Sequence, residues 1–537
     1  MNLTLEQAVG QKLMWSFAGK QAPSQEILAA IRNHQVGGIT LFRPLNVENP
    51  EQVRALTRSL QEAARQAGEP PLLIAADQEG GQLVALGPQT TPLPGNLALG
   101  AAGSVELARQ AGVVLGRELA AMGVNLNYAP CSDININPKN PVIGTRSFGE
   151  DPAMVARMAA AMLAGIQSAG VAATAKHFPG HGDTASDSHL GTPVIMHSRE
   201  RIRQVELQPF RAAIQAGVRI VMSAHLAVPA FDDRDDLPAT LSTNLLQGLL
   251  RQELGFEGLI ATDAMDMQAI HQGAGLAVDA ICAASAGADL LLLTSFLDQE
   301  SVYTSLLQAA RRGLLAPEQM LASAGRVLAL KTWLAENAKS YPLDVVGCAE
   351  HREIAAEIAR RSITLLRDEA GLLPLSRSPH QRLAVVMPQP VDLTPADTSS
   401  YVTPSLAQAL RRYTSNVDEF NVSYSPSRAE ISDVLPKLHA YDRVIIGTLN
   451  AYAAEGQAEL VQAILDSGLP TIVTALRMPY DFQVFPGAPT YLCTYSILEP
   501  SMQALAQALW GEFPCTGRLP VSIPGLYAFG YRHGDSL

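Results

Sequence analysis

Short apolar runs alternate with amphipathic stretches along the first three fifths of the chain. The runs at 12–17, 37–42, 72–77, 124–128, 170–175, 220–224, 259–263 and 290–294 are brief and rich in small and β-branched residues, as expected of strands buried on both faces. Between them, the stretches at 24–33, 51–66, 104–122, 151–168, 199–216 and 244–253 carry apolar residues at helical spacing, Val53, Leu56, Leu60 and Ala63 for example. Asp151-Pro152 supplies an N-cap and a proline for the first helical position, and Thr4 with Gln7 forms a capping box. Eight strands separated by helices predict an α/β fold whose N-terminal part is a (β/α)8 TIM-type barrel. A doubly wound sheet is the alternative that this pattern leaves open.

Beyond residue 331 the pattern breaks into a polar stretch with Asn337, Ser340 and Pro342, read as a linker over 335–344. From Val345 onward it resumes, with strands expected at 383–387, 443–448, 471–476 and 491–494 and helices at 457–467 and 500–510. This predicts a second parallel α/β layer. A length of 537 residues exceeds one ordinary domain and agrees with the division into 1–334, 335–344 and 345–537.

Composition narrows the partners. A formal net charge of −12 argues against a nucleic acid or an anionic membrane as partner. Cys131, Cys282, Cys348, Cys493 and Cys515 are scattered, without the close pairs of a zinc site or the density of a disulfide scaffold, so reduced thiols in a cytoplasm are expected. No signal peptide or membrane span is read from the chain. A monomer or homodimer is expected.

The densest chemistry lies in Lys176-His177-Phe178-Pro179-Gly180-His181-Gly182-Asp183-Thr184-Ala185-Ser186-Asp187-Ser188-His189. Two glycines and a proline keep this segment from forming a regular helix or strand, and a loop so rich in titratable groups suggests catalysis. Two plainer readings stand beside it. His177, His181, Asp187 and His189 have side chains that suit zinc or iron, and His181, between glycines, could simply fix the turn. Asp187 and His189, two apart in a segment that can run extended, would point the same way, so that the carboxylate could orient the imidazole. Asp77, Tyr128, Lys176, His225 and Asp263 each fall at or just past the end of an expected strand, where a barrel would gather them round one mouth. His225 reads equally well as a satisfied core histidine. Asp266, three residues beyond Asp263, is expected to enter a helix and cap it.

With K-H-F-P-G-H-G at 176–182 and Asp187-Ser188-His189 after it, the chain resembles the glycoside hydrolase family 3 enzymes, specifically their β-N-acetylhexosaminidase branch. The resemblance implies Asp263, in Thr262-Asp263-Ala264-Met265-Asp266-Met267, as nucleophile, His189 as general acid/base and Asp187 as the residue that orients it. It further implies that Asp77, Arg146, Lys176 and His177 bind sugar hydroxyls, with His225 a further substrate-binding candidate. No metal or cofactor enters such a mechanism. The segments 362–375 and 517–524 resemble the C-terminal α/β sandwich of that family. The activity implied is that of a retaining exo-acting β-N-acetylglucosaminidase on a small carbohydrate substrate. A family 3 β-glucosidase or β-glycoside phosphorylase is the nearest alternative, and a sugar-binding protein without turnover the alternative from another class. One departure stands out: after Asp77-Gln78-Glu79-Gly80-Gly81 the family has R-V-x-R, whereas Gln82-Leu83-Val84-Ala85 stands here. A substrate-clamping arginine is therefore expected to be missing.

Overall fold

The computed structural model describes residues 3–188, 191–270, 275–376, 378 and 380–535. Eight parallel strands close a barrel: Leu13–Trp15 (β1), Gly38–Thr40 (β2), Leu73–Ala76 (β3), Leu126–Asn127 (β4), Ala172–Phe178 (β5), Ile220–Ser223 (β6), Leu259–Ala264 (β7) and Leu290–Leu292 (β8). Pairing of Leu13 with Leu291 and Met14 with Leu292 joins the first strand to the last, which decides for a barrel over a doubly wound sheet. The interior is packed with Met14, Leu73, Leu126, Ile220, Leu259 and Leu290, so it is a core and not a pore. Tyr128, expected at the mouth, belongs to this core. Its hydroxyl lies 3.2 Å from Thr40 Oγ1 and its side chain is fully buried.

The helices begin at capping side chains, Asp151 and Thr4 as expected and others besides. Ser24, Asn49, Ser104 and Asp151 each accept a backbone N–H in the first turn, and Thr4 and Gln7 make both bonds of the capping box. The stretch at 199–216 is two helices, Arg199–Gln204 and Gln208–Gln215. Pro209 accounts for the break, since its ring collides with the carbonyl four residues back, and Val205 there leaves helical geometry. The last barrel helix, Pro317–Asn337, runs into the stretch read as linker because Val327, Leu330 and Leu334 stay packed against the barrel core.

The C-terminal domain holds a six-stranded sheet of Thr364–Asp368 (β9), Leu383–Pro388 (β10), Val417–Val422 (β11), Arg443–Thr448 (β12), Thr471–Ala475 (β13) and Thr490–Cys493 (β14), in the order β9-β14-β13-β12-β10-β11. The expectation of a purely parallel layer is corrected: β9 pairs antiparallel with β14. Strand β11 escapes a pattern search because it is an edge strand, with only Val417 and Val422 buried at its two ends. Glu118 ties the domains together by accepting from Gly347 N, with His351 Nδ1 2.9 Å away. No helix among the described residues is long and apolar enough to cross a membrane.

Candidate active site

A cavity of about 870 Å³ opens at the C-terminal ends of the barrel strands, and Asp77, Arg146, Lys176, His177 and Asp263 all line it. Asp77 follows β3, and Asp263 is in β7. Lys176 and His177 belong to β5 itself, so the loop expected to begin at Lys176 starts after Phe178. Pairing of Phe178 with Ser223, beyond a bulge, carries the strand that far.

A buried ion network forms the floor. Lys176 Nζ lies 2.6 Å from Asp77 Oδ1 and 2.7 Å from Glu79 Oε1, while Arg146 donates to both oxygens of Glu79 at 3.0 and 2.8 Å. Burial alone would push the Glu79 carboxyl up, but Arg146 and Lys176 overcome it and hold it at about 2. Lys176 is affected in the opposite sense: burial lowers it, and Asp77 with Glu79 raises it above the ordinary lysine value. Glu79 was not singled out from the sequence. Its signal is the position three residues past the end of β3, in a hairpin of Gln78–Gly80 and Leu83–Val84.

His177 is aimed by a second residue the sequence reading missed. Asp133 Oδ2 lies 2.7 Å from His177 Nδ1, and the same carboxylate accepts the backbone N–H groups of His177 and His181. Burial opposes ionisation of Asp133, but His177, His181 and these N–H groups hold its carboxyl well below the usual range. Since the carboxylate can only accept, Nδ1 carries the proton and Nε2 faces the cavity, 3.3 Å from Arg146 Nη2 and 3.9 Å from Asp263 Oδ2. The legible hint was an aspartate six residues past the end of the fourth strand, in Cys131-Ser132-Asp133-Ile134.

The loop after β5 is pinned from several sides. At Gly182 a Cβ would come within 1.8 Å of the Ile134 carbonyl oxygen, so only glycine passes there. Asn140 Nδ2 donates to the His181 carbonyl at 2.8 Å, and the His181 ring spans Thr184 Oγ1 at 2.8 Å and Ser188 Oγ at 3.0 Å. Burial takes His181 down to about 4, consistent with an uncharged ring that holds the loop. Asp187 is buried at the far end of this loop. His189 lies outside the described residues.

Asp263 Oδ1 accepts its neighbour's backbone N–H, from Ala264, at 2.8 Å. His225 is not on the cavity wall: it is fully buried, with Nδ1 2.8 Å from Thr240 Oγ1 and Nε2 3.0 Å from the Ala264 carbonyl oxygen. These are the surroundings of a core histidine supporting the end of β7, the reading that the sequence allowed beside substrate binding. Asp266 caps no helix. It sits in a turn, accepts from Thr294 Oγ1 at 2.8 Å and lines the cavity.

Among the described residues, two groups of side chains come close enough to share an ion, Cys131–Asp133–His177 and Asp183–His197–Glu206. Neither donor set suits one. Burial and the Asp133 charge push the Cys131 thiol well up, so it donates to Asp133 rather than offering a thiolate. Glu206 is engaged by Arg201 at 2.8 Å and Asp183 by His197 at 2.5 Å.

The second domain reaches the cavity. Residues 392–398 and Tyr401 form part of the wall. Arg477 fastens this segment through Asp397 at 2.9 Å, and Thr398 donates to the Gln82 carbonyl at 2.8 Å. Gln82 Oε1 meanwhile accepts from Thr145 and Arg477, each at 2.6 Å. At Gln82, where the family resemblance led to the expectation of an arginine, an amide docks the second domain.

The model of the glycosyl hydrolase family 3 N terminal domain matches residues 4–330, and that of the C-terminal domain matches 363–528. A β-hexosaminidase A of Pseudoalteromonas piscicida is 32% identical over 97% of this chain and 97% of its own. A Cellulomonas fimi protein described as β-N-acetylglucosaminidase/β-glucosidase is 32% identical over 84% of this chain and 83% of its own. The solved structure of a glycoside hydrolase family 3 β-N-acetylglucosaminidase from Paenibacillus sp. aligns with a TM-score of 0.92 at 39% identity, covering 97% of this chain and 99% of that one.

Proposed function

This chain belongs to glycosyl hydrolase family 3, and from that premise we propose a retaining, exo-acting β-N-acetylglucosaminidase that removes terminal β-linked N-acetylglucosamine from oligosaccharides or cell-wall fragments. The observation that carries the reading is the Asp263 carboxylate, held at the mouth of the barrel beside a sugar-sized cavity and 3.9 Å from an imidazole that Asp133 has already oriented. In this reading Asp263 attacks the anomeric carbon. His189 protonates the departing oxygen and later takes a proton from water, and Asp187 fixes its tautomer. Asp77, Lys176, Arg146 and His177 bind hydroxyls, with the ion pairs between them setting their positions before the sugar arrives. The five free cysteines support a reducing cytoplasm as the place of action.

The test is the first product. Proton NMR early in the hydrolysis of an aryl β-N-acetylglucosaminide should show the β-anomer before mutarotation, as two inversions require. An α-product would overturn the covalent step. The C. fimi relative's double description makes aryl β-glucoside the natural parallel substrate, run with and without phosphate so that phosphorolysis would be seen. Failure to turn over either glycoside would leave a sugar-binding protein.

A further inference from the structure

We infer that Gln82 is a positioning residue for the sugar: its side-chain amide sets the place of Arg146 from the second domain, so that this domain takes part in sugar binding through the barrel. This rests on the N-acetylglucosaminidase reading, which gives Arg146 to a sugar hydroxyl, and adds a residue that lies behind the cavity wall. Five strands of the C-terminal sheet, β11-β10-β12-β13-β14, run parallel. The chain leaves β10 for β11 on one side and comes back to β12 on the other, so the strand order reverses between β10 and β12. A sheet of this kind opens a crevice there, beyond the carboxyl ends of its strands. Leu393 and Thr394 follow β10, Asn450 and Tyr452 follow β12, and Arg477 follows β13. All of them meet Gln82 and residues 140–145 of the barrel domain in one cleft. The crevice that in such sheets takes a ligand thus takes the barrel's own turn before Arg146.

Gln82 is the acceptor at the centre of that contact. Its Oε1 accepts from Thr145 Oγ1 and from Arg477 Nη2, each at 2.6 Å, and its Nε2 donates to the Ala396 carbonyl at 3.3 Å. Thr145 belongs to the short helical turn Gly144–Arg146, and Gln82 sits at the bend of the hairpin that carries Glu79. One amide therefore holds the backbone behind each member of the Arg146–Glu79 pair. Arg146 lines the cavity, and its Nη2 lies 3.3 Å from His177 Nε2, which faces Asp263 at 3.9 Å. A shift of the turn is passed directly to the groups around the sugar.

The bonding also accounts for the departure from R-V-x-R. Two donors converge on the side-chain oxygen of residue 82, and one of them is a guanidinium shared with Asp397. An arginine at 82 has no acceptor to offer and would set a second positive group against Arg477. A glutamine or a glutamate meets both donors. The second domain makes this demand for an acceptor, and a barrel standing alone would not.

The experiment measures kcat and KM on an aryl β-N-acetylglucosaminide for Gln82→Ala, Gln82→Glu, Gln82→Arg and Thr145→Val, with protease digestion of the wall at 392–401 alongside. Thr145→Val cuts the bridge to the Arg146 turn and leaves the Arg477–Asp397 pair in place. Gln82→Ala and Thr145→Val should each raise KM about fivefold to tenfold, the loss of one hydrogen bond. Their kcat should stay within about twofold, because hydroxyl binding is lost from ground and transition states alike. Combined, the two should do no more than the stronger alone, since both cut one bridge. Gln82→Glu should keep the wild-type KM, and Gln82→Arg should be worse than Gln82→Ala. A wild-type KM in Thr145→Val, or in Gln82→Arg, would overturn the inference. So would a KM rise confined to variants whose wall is digested sooner, which would leave Gln82 a docking residue only. A wild type inert on the aryl N-acetylglucosaminide fails the parent reading instead. The same ratios are then read on aryl β-glucoside or, without turnover of either, from Kd for N-acetylglucosamine and glucose by calorimetry, where an equal Kd in wild type and Thr145→Val, or no binding at all, overturns the inference.

Discussion

His177 Nε2 stands 3.9 Å from Asp263 Oδ2, on the floor of a cavity that is otherwise a closed set of ion pairs. The imidazole is fixed from behind by Asp133, so its position relative to Asp263 does not depend on substrate. A sugar entering here meets a prearranged carboxylate and imidazole, and each prediction below probes one part of that arrangement.

Replacement of Asp263 by alanine should abolish turnover by about 10⁴-fold or more while leaving the fold intact, because the side chain is part-exposed on the cavity wall and lies outside the apolar core of the barrel. Aryl glycoside hydrolysis and the thermal midpoint measure the two halves. Near-normal activity would remove Asp263 from the nucleophile's role.

His189→Ala should cost about 10²–10⁴-fold on alkyl glycosides and disaccharides, the scale of general acid catalysis. Aryl glycosides, whose phenolate leaves without a proton, should suffer less and become limited by attack of water on the glycosyl-enzyme. Azide should then restore turnover. Asp187→Ala should show the same pattern more weakly. Equal losses for all leaving groups, without azide rescue, would assign His189 to binding or loop structure.

Glu79 makes acid stability measurable. Its carboxyl is held at about 2 against an ordinary 4.5, so it binds fewer protons folded than unfolded between those values. The stability it contributes is present above about pH 4.5 and is lost as pH falls toward 2, about 3 kcal/mol in all. Glu79→Gln should flatten the fall of the urea midpoint across that range. At neutral pH it should destabilise by about 3–5 kcal/mol, because Arg146 is left buried without its counter-charge. A variant with the wild-type pH slope would show that the pair does not control acid unfolding.

Arg477→Ala removes the buried partner of Asp397 and a donor to Gln82. It should raise KM for disaccharides severalfold by releasing the wall at 392–401, while an aryl glycoside's kcat changes less. Protease digestion should then cut within that wall segment sooner than in the wild type. Unaltered KM and digestion would show that the clamp does not shape the cavity.

Dialysis against a chelator should leave activity unchanged, since His177 and His181 are committed to protein partners and the Cys131 thiol stays protonated. Activity that is lost on dialysis and regained with zinc would revive the metal reading.

Much of this was legible in the chain alone. Strands buried on both faces and helices with one apolar stripe each leave a local period, so the barrel strands, their order and the caps at Thr4 and Asp151 could be read directly. A residue at a strand's end inherits its place from that strand, which is why Asp77, Lys176, His177 and Asp263 could be expected at one mouth. Partnership has no local period. Asp133 and His177 are separated by 44 residues, and Gln82 and Arg477 by 395, so their bonds leave no trace in either neighbourhood. His225 and Asp266 show the limit from the other side: their positions resemble those of a site residue and a helix cap, and only the partners Thr240 and Thr294 decide otherwise. The chain by itself determined the eight strands, the helices between them and the strand ends where Asp77, Lys176 and Asp263 fall, because burial is written residue by residue. Closure of β1 on β8, the docking of the second domain and the charges that aim His177 were decided only by tertiary structure, because each depends on atoms brought together from distant parts of the chain.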